Sequence, residues 1–349
     1  MVLYCKEIIQ GFTPANKGFM EITTSKKISL KGIQRPIAEE MRQFERKFRE
    51  TMSSDVALLD KITYYIAKRK GKQMRPMFVF LSAKLSGEVS ESTYIAASFI
   101  EMIHTATLVH DDVVDDSNER RGFFSINALW KNKIAVLVGD FILSRGMLIA
   151  IQKKEFRFLE IMSEAIELMS KGELLQIEKA RRLDIEESIY YKIIKGKTAS
   201  LFASACAAGV ASTTKDEALI AKAKELGEKA GMAFQIKDDL FDYGTDAIGK
   251  TVGNDIKEKK MTLPLIYALN NAPRRTRNKI INIVKRNNNQ PEKVAEVIDF
   301  VKNSGGLEYT KEVMYDYRQQ AFDILNTFPP SPARQSLGDL ITFVTERKK

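Results

Sequence analysis

The chain has little that could cross-link it or kink it. Only two of its 349 residues are cysteine, Cys5 and Cys206. That is too few for a disulfide framework or a zinc site, and a reducing cytoplasm is the simplest setting. Proline is scarce, nine in all, and none falls between Pro76 and Pro264. Proline is expelled from helix interiors, so this gap leaves room for long helices, which the many Ala, Leu, Ile, Glu and Lys residues favour. Long apolar runs are lacking too. The stretch at 134–143 is broken by Gly139 and Asp140 and is shorter than the ~18 residues of a membrane span, so no transmembrane segment is expected. No apolar run with a small-residue cleavage site opens the chain, and no signal peptide is read.

The remainder has the composition of a globular protein. Apolar residues make up 44% and charged residues 29%, which excludes intrinsic disorder and can fill a substantial core. Lys and Arg outnumber Asp and Glu by 55 to 45, a formal charge of +10. Such an excess fits nucleic acid, a membrane surface or an anionic substrate, or simply solvated helix faces. Nucleic acid is not expected, because no recognised binding module or aromatic-interleaved basic stripe is present.

Residues 1–35, with Gly11, Pro14, Gly18 and Gly32 and no sustained period, read as a mobile N-terminal extension. From Pro36 the apolar residues Ile37, Met41, Phe44 and Phe48 recur at helical spacing. Helices are expected over 92–114, 134–151, 156–176, 185–195, 199–211 and 216–241, with shorter ones before and after. Ser331-Pro332 caps the last of them. No alternating strand pattern emerges. The expectation is an all-α fold with one domain over 36–349.

Two similar acidic segments each end an apolar helix: His110-Asp111-Asp112-Val113-Val114-Asp115 and Lys237-Asp238-Asp239-Leu240-Phe241-Asp242. Residues i and i+4 share a helix face, so Asp111 points with Asp115 and Asp238 with Asp242, while Asp112 and Asp239 lie alongside. Crowded carboxylates repel, and helix C-terminal ends are the wrong place for anions. A chain that does this twice calls for a cation. Oxygen-only donors select a hard ion, and magnesium uses one or two carboxylates plus water and phosphate. A solvated acidic loop would explain one such segment better than two.

Basic residues follow each cluster: Arg120-Arg121-Gly122 after the first, and Lys250, Lys259 and Lys260 after the second. Upstream, Gly71-Lys72-Gln73-Met74-Arg75-Pro76 opens a helix whose N–H groups also favour phosphate. Lys197, between Gly196 and Thr198, completes the set. Any one of these alone would be ordinary surface. Both histidines fall in or near the first cluster, with His104, Thr107, Asp111 and Asp115 on one helical stripe.

With these segments, Gly196-Lys197-Thr198, Phe234-Gln235, Gly249-Lys250-Thr251-Val252-Gly253-Asn254-Asp255 and Lys260-Met261-Thr262-Leu263-Pro264 in order, residues 36–349 resemble the trans-isoprenyl diphosphate synthase (polyprenyl synthetase) family. Its long-chain, octaprenyl-type members are the nearest likeness. Lys70 and Lys259 depart from the family's usual Gly. The resemblance implies an isoprenoid synthase-type helical bundle around a central cavity, with the two acidic motifs facing each other. Three magnesium ions would join Asp111, Asp115 and Asp238, supported by Asp112, Asp239 and Asp242, to an allylic diphosphate. Arg120, Lys197, Lys260 and Lys250 would hold that diphosphate, and Lys72, Arg75, His104 and Arg121 would hold isopentenyl diphosphate. Thr198 and Gln235 would stabilise the allylic cation. A cytoplasmic homodimer is the implied state.

The resemblance also implies that small residues at Ala106 and Thr107, just before Asp111, leave a path for a long product, with Phe141, Met147 and Leu148 as candidates for its floor. A short-chain (farnesyl or geranylgeranyl) synthase is the alternative. A class I terpene cyclase fits poorly, because its second metal motif normally carries Asn/Asp, Ser/Thr and Glu. A non-catalytic subunit of a heteromeric synthase should have eroded acidic motifs, and both are complete.

Overall fold

The computed structural model describes residues 28–69, 71–120, 122–182, 186–244 and 252–347. Seventeen helices account for nearly all of them. The first nine are α1 (Leu30–Gln34), α2 (Ala38–Met52), α3 (Ala57–Lys68), α4 (Met74–Ser86), α5 (Glu91–Val114), α6 (Ile126–Trp130), α7 (Asn132–Gln152), α8 (Phe156–Arg182) and α9 (Glu187–Ile194). They are followed by α10 (Ser200–Ala211), α11 (Glu217–Phe241), α12 (Asn254–Lys257), α13 (Leu263–Asn270), α14 (Arg274–Arg286), α15 (Pro291–Lys302), α16 (Gly306–Leu325) and α17 (Pro332–Glu346).

Helix α10 is the axis of the bundle. Its side chains from Ser200 to Val210 are all buried, as expected of a helix apolar all round, and α4, α5, α8 and α11 pack about it. Backbones approach closely where glycine permits. A Cβ at Gly227 of α11 would stand 2.4 Å from the Phe202 carbonyl oxygen on α10. One core cluster joins α2, α4, α5, α7, α10 and α17, and a second joins α9, α11 and α13 to α16. The C-terminal ends of α5 and α11 reach the same end of this frame.

Four expectations change. Packing begins ahead of Pro36: Ser29 caps α1, and Ile33 is buried against the core. The helix expected to end at 176 runs on to Arg182, and the one expected over 185–195 starts at Glu187. It then passes through a π-helical turn, Lys195–Ala199, into α10 without a break. A short antiparallel hairpin, β1 (Glu119–Arg120) and β2 (Phe123–Phe124), follows α5. Two residues per strand are too few to show alternation in sequence.

Among the described residues α7 is long and apolar enough to cross a membrane by length and composition. The run at 134–143 understated it. One face of α7, including Val138, Gly139, Ile142 and Gly146, is buried, while Val136, Leu137, Leu148 and Ile151 are exposed.

Candidate active site

The first acidic motif closes α5, which starts in a capping box formed by Ser90 and Thr93. Asp111 is half-buried, Asp115 is exposed and Asp112 is buried. Asp112 faces inward and accepts a hydrogen bond from Arg120 Nε at 2.7 Å. The hairpin thus sets the guanidinium against it. On α11, Asp238 is half-buried and Asp239 is buried. Asp239 Oδ2 accepts from the Tyr190 hydroxyl at 2.7 Å, and Oδ1 accepts from Gln235 Nε2 at 2.9 Å. Asp242, also buried, accepts the backbone N–H groups of Asn254 at 2.8 Å and Asp255 at 3.1 Å. Asp112, Asp239 and Asp242 therefore spend carboxylate oxygens on the protein itself, while Asp111, Asp115 and Asp238 are more exposed, with Asp238 paired to Arg347.

The π-helical turn brings Lys197 and Thr198 to the same place; such bulges recur at functional sites. It lies against α8, where a Cβ at Gly172 would stand 2.9 Å from the Lys197 nitrogen and one at Gly196 would stand 2.7 Å from the Leu168 carbonyl. That close approach sets Glu173 beside Lys197 as an ion pair. Thr198 donates to Gln235 Oε1 at 2.7 Å.

Electrostatics tie the two motifs together. Burial raises the Asp111 carboxyl, Lys197 opposes the rise, and Glu173 and Asp115 add to it. Burial likewise raises Asp112 against the pull of Arg120. Burial holds Asp239 and Asp255 both well above the usual carboxylate range, with Asp238 adding to the rise at Asp239 and Asp239 and Asp242 adding to that at Asp255. Burial disfavours the Lys260 cation, but Glu258, Asp255 and Asp115 more than reverse this. Lys260 also pulls the Asp239 carboxyl down, so it lies in the field of carboxylates at the ends of both α5 and α11. Two further ion pairs, Glu258–Lys260 and Asp238–Arg347, complete the ring. Arg120, Lys197 and Lys260 each already hold a carboxylate.

Two cavities open here. One of about 110 Å³ is lined by Gln176, Tyr190, Lys197, Thr198, Gln235, Asp239, Asp255 and Lys260. The other, about 850 Å³, is lined by Gly71, Gln73, His104, Asp112, Arg120 and an outer wall that includes Tyr65, Phe123, Phe124 and Trp130. His104 thus shares a cavity with the Gly71–Gln73 segment. Lys72 and Arg75, at the start of α4, lie over the Phe343 and Phe202 rings at 5.3 and 5.2 Å. His110 turns away to α7, 3.2 Å from the Val136 carbonyl oxygen. Ala106 is buried in the core, on the α5 stripe between Met102 and His110, two residues that meet α7 at Gly146 and Gly139. Thr107 is half-buried and donates back to the His104 carbonyl at 2.9 Å. Leu148 is 43% exposed, which takes it out of the interior as a floor. Lys70, Arg121 and Lys250 lie outside the described residues. Sequence reasoning missed Glu173, Tyr190 and Arg347, whose partners are distant in the chain.

Residues 56–301 match the Polyprenyl synthetase family. The chain belongs to that family. It is 35% identical over 326 residues to "Octaprenyl diphosphate synthase" of Escherichia coli (strain K12), covering 92% of this chain and 100% of that one. It is 34% identical over 307 residues to "Heptaprenyl diphosphate synthase component 2" of Bacillus subtilis (strain 168), covering 87% of each. A polyprenyl synthase from Caulobacter crescentus, solved with calcium and isoprenyl diphosphate, superposes with a TM-score of 0.86 at 32% identity, over 93% of this chain and 100% of its own. The all-α isoprenoid synthase fold and the prenyltransferase class follow.

Among the described residues no three acidic, histidine or cysteine side chains converge closely enough to hold a metal unaided. An ion that takes part of its shell from water and substrate phosphate does not need such a convergence. The donors the site presents are carboxylate oxygens, which suit a hard cation.

Proposed function

We propose that the chain is a long-chain all-trans polyprenyl diphosphate synthase, adding isopentenyl diphosphate repeatedly to an allylic diphosphate, with an octaprenyl-type product. The observation that carries this reading is the meeting of two carboxylate-bearing helix ends around one cation-lined site, with Lys260 in the field of Asp115 on one and Asp239 on the other. In this reading Asp111, Asp115 and Asp238 would hold three magnesium ions, with Asp112, Asp239 and Asp242 fixing the helix ends behind them. Magnesium there would neutralise diphosphate and make it a better leaving group. Arg120, Lys197, Lys260 and Lys250 bind the allylic diphosphate, the first three exchanging their resting carboxylates for phosphate oxygens. Lys72, Arg75, His104 and Arg121 hold isopentenyl diphosphate. Thr198 and Gln235 direct their dipoles at the allylic carbon as positive charge develops. The departing diphosphate takes the proton.

A homodimer is supported by the exposed apolar face of α7, where Val136, Leu137, Leu148 and Ile151 would otherwise meet water. A cytoplasmic setting is supported by Cys206, buried as a free thiol. The relation to a protein named component 2 of a heptaprenyl synthase favours one further reading, a subunit that needs a second chain. Incubating the purified chain alone with farnesyl and isopentenyl diphosphates and magnesium separates the two. A product ladder ending near octaprenyl diphosphate is expected. A ladder stopping at farnesyl or geranylgeranyl diphosphate would make it a short-chain enzyme, and no product would leave the two-component reading.

A further inference from the structure

The allylic end of the site contains a chain of side-chain hydrogen bonds drawn from three elements. Thr198, on the π-helical turn, donates to Gln235 Oε1 at 2.7 Å, and Gln235 Nε2 donates to Asp239 Oδ1 at 2.9 Å. On the far side of Asp239, the Tyr190 hydroxyl of α9 donates to Oδ2 at 2.7 Å. All four residues line the same cavity of about 110 Å³. We propose that Tyr190 is a positioning residue for the condensation, acting through Asp239 to fix which way the Gln235 amide faces. This rests on the proposed synthase activity and extends it to a residue outside the acidic motifs.

The argument is one of directionality. Both Asp239 oxygens accept hydrogen bonds, Oδ2 from Tyr190 and Oδ1 from the NH2 side of the Gln235 amide. The amide oxygen is thereby turned to the Thr198 hydroxyl, the side from which a carbonyl dipole can face developing positive charge. This holds only while the carboxylate plane is fixed. The terminal torsion of an aspartate is broad, so a single hydrogen bond from Gln235 would let it swing. Tyr190 supplies the second bond on the other oxygen, from a different helix. It is itself braced: its ring meets Tyr191 edge-on at 5.4 Å, and Tyr191 donates to Glu187 Oε1 at 2.7 Å. Only 3% of Tyr190 is exposed, so its hydroxyl is directed inward at Asp239. If Tyr190 served packing alone, the ring would suffice and the oxygen would be dispensable.

Tyr190→Phe removes the oxygen and keeps the ring. With farnesyl and isopentenyl diphosphates and magnesium, kcat should fall about ten- to a hundredfold, the worth of one charge-assisted hydrogen bond. KM for isopentenyl diphosphate should not move. Calorimetric binding of magnesium with inorganic pyrophosphate should not move either, because Asp111, Asp115 and Asp238 are untouched. Gln235→Leu should give the same split, and adding Tyr190→Phe to it should cost nothing further. Unchanged kcat in Tyr190→Phe, equal loss of pyrophosphate binding, or additive losses in the double variant would each overturn the inference. If Tyr190→Phe does not fold, Gln235→Leu still decides, since full kcat in that variant removes the amide being positioned. Wild-type protein that makes no polyprenyl product would fail the synthase reading. Active wild type with an indifferent Tyr190→Phe would fail this inference alone.

Discussion

Arg347→Gln should tighten magnesium binding. Arg347 pairs with Asp238, an aspartate left open to the site, and its guanidinium lies 4.4 Å from the Phe234 ring centre and 5.5 Å from that of Phe241. Before metal binds, the guanidinium is the counter-ion that Asp238 holds, so a cation claiming this carboxylate must first displace it. The side chains are 13% and 33% exposed, which puts the pair between a surface ion pair and a buried one. A worth of about 1–2 kcal/mol is then reasonable, and removing it should lower the half-saturating magnesium concentration about five- to thirtyfold. The same change strips two cation–π contacts of about 0.5–1 kcal/mol each from the metal-free fold. It also leaves Asp238 beside Asp239 and Asp242 without the guanidinium. The apo melting temperature should therefore drop by a few degrees, and the gap should close as magnesium is added. Magnesium titrated calorimetrically in the presence of inorganic pyrophosphate, with melts at each concentration, reads both effects. Unchanged or weaker magnesium binding would refute the competition and place Arg347 with the diphosphate instead.

Asp111→Ala and Asp238→Ala should each lower turnover by orders of magnitude while circular dichroism shows the fold intact, because relieving carboxylate repulsion does not cost the helix; full activity in either variant would end the metal reading. The metal-free protein should lose stability as pH rises. Asp111, Asp239 and Asp255 have folded pKa values raised above the unfolded value of about 3.9, so the fold disfavours their ionised forms. Stability is greatest below the unfolded value and falls as pH climbs through the raised ones toward neutrality. Melting temperatures between pH 5 and 8 should show that decline, and magnesium with pyrophosphate should flatten it. Ala106→Tyr should shorten the product toward farnesyl or geranylgeranyl diphosphate at an overpacking cost of about 1–3 kcal/mol; an unchanged ladder would take Ala106 out of the tunnel wall.

What could be read from sequence and what could not divides along the range of the interactions involved. The acidic helix ends were legible because a 3.6-residue period and the cost of crowding like charges are local facts. The π-helical turn at 195–199 was not, since a single wider turn leaves the apolar period nearly intact while carrying Lys197 and Thr198 to the cavity. Spacing alone does not distinguish Asp238 from Asp239; that division of the six aspartates rests on the family resemblance. Their difference comes from Tyr190, 49 positions away, and Arg347, 109 positions away. The ring of ion pairs has a common logic. Lys197, Lys260 and Arg347 lie among several carboxylates, and burial first, with like-charge repulsion added, raises the pKa values of Asp111, Asp239 and Asp255. A site balanced in that way is short of positive charge until cations arrive. Cations there would free the arginine and lysines that hold carboxylates for an anion. The resting pairs and the proposed diphosphate contacts are therefore two uses of the same cations, with the metal deciding between them.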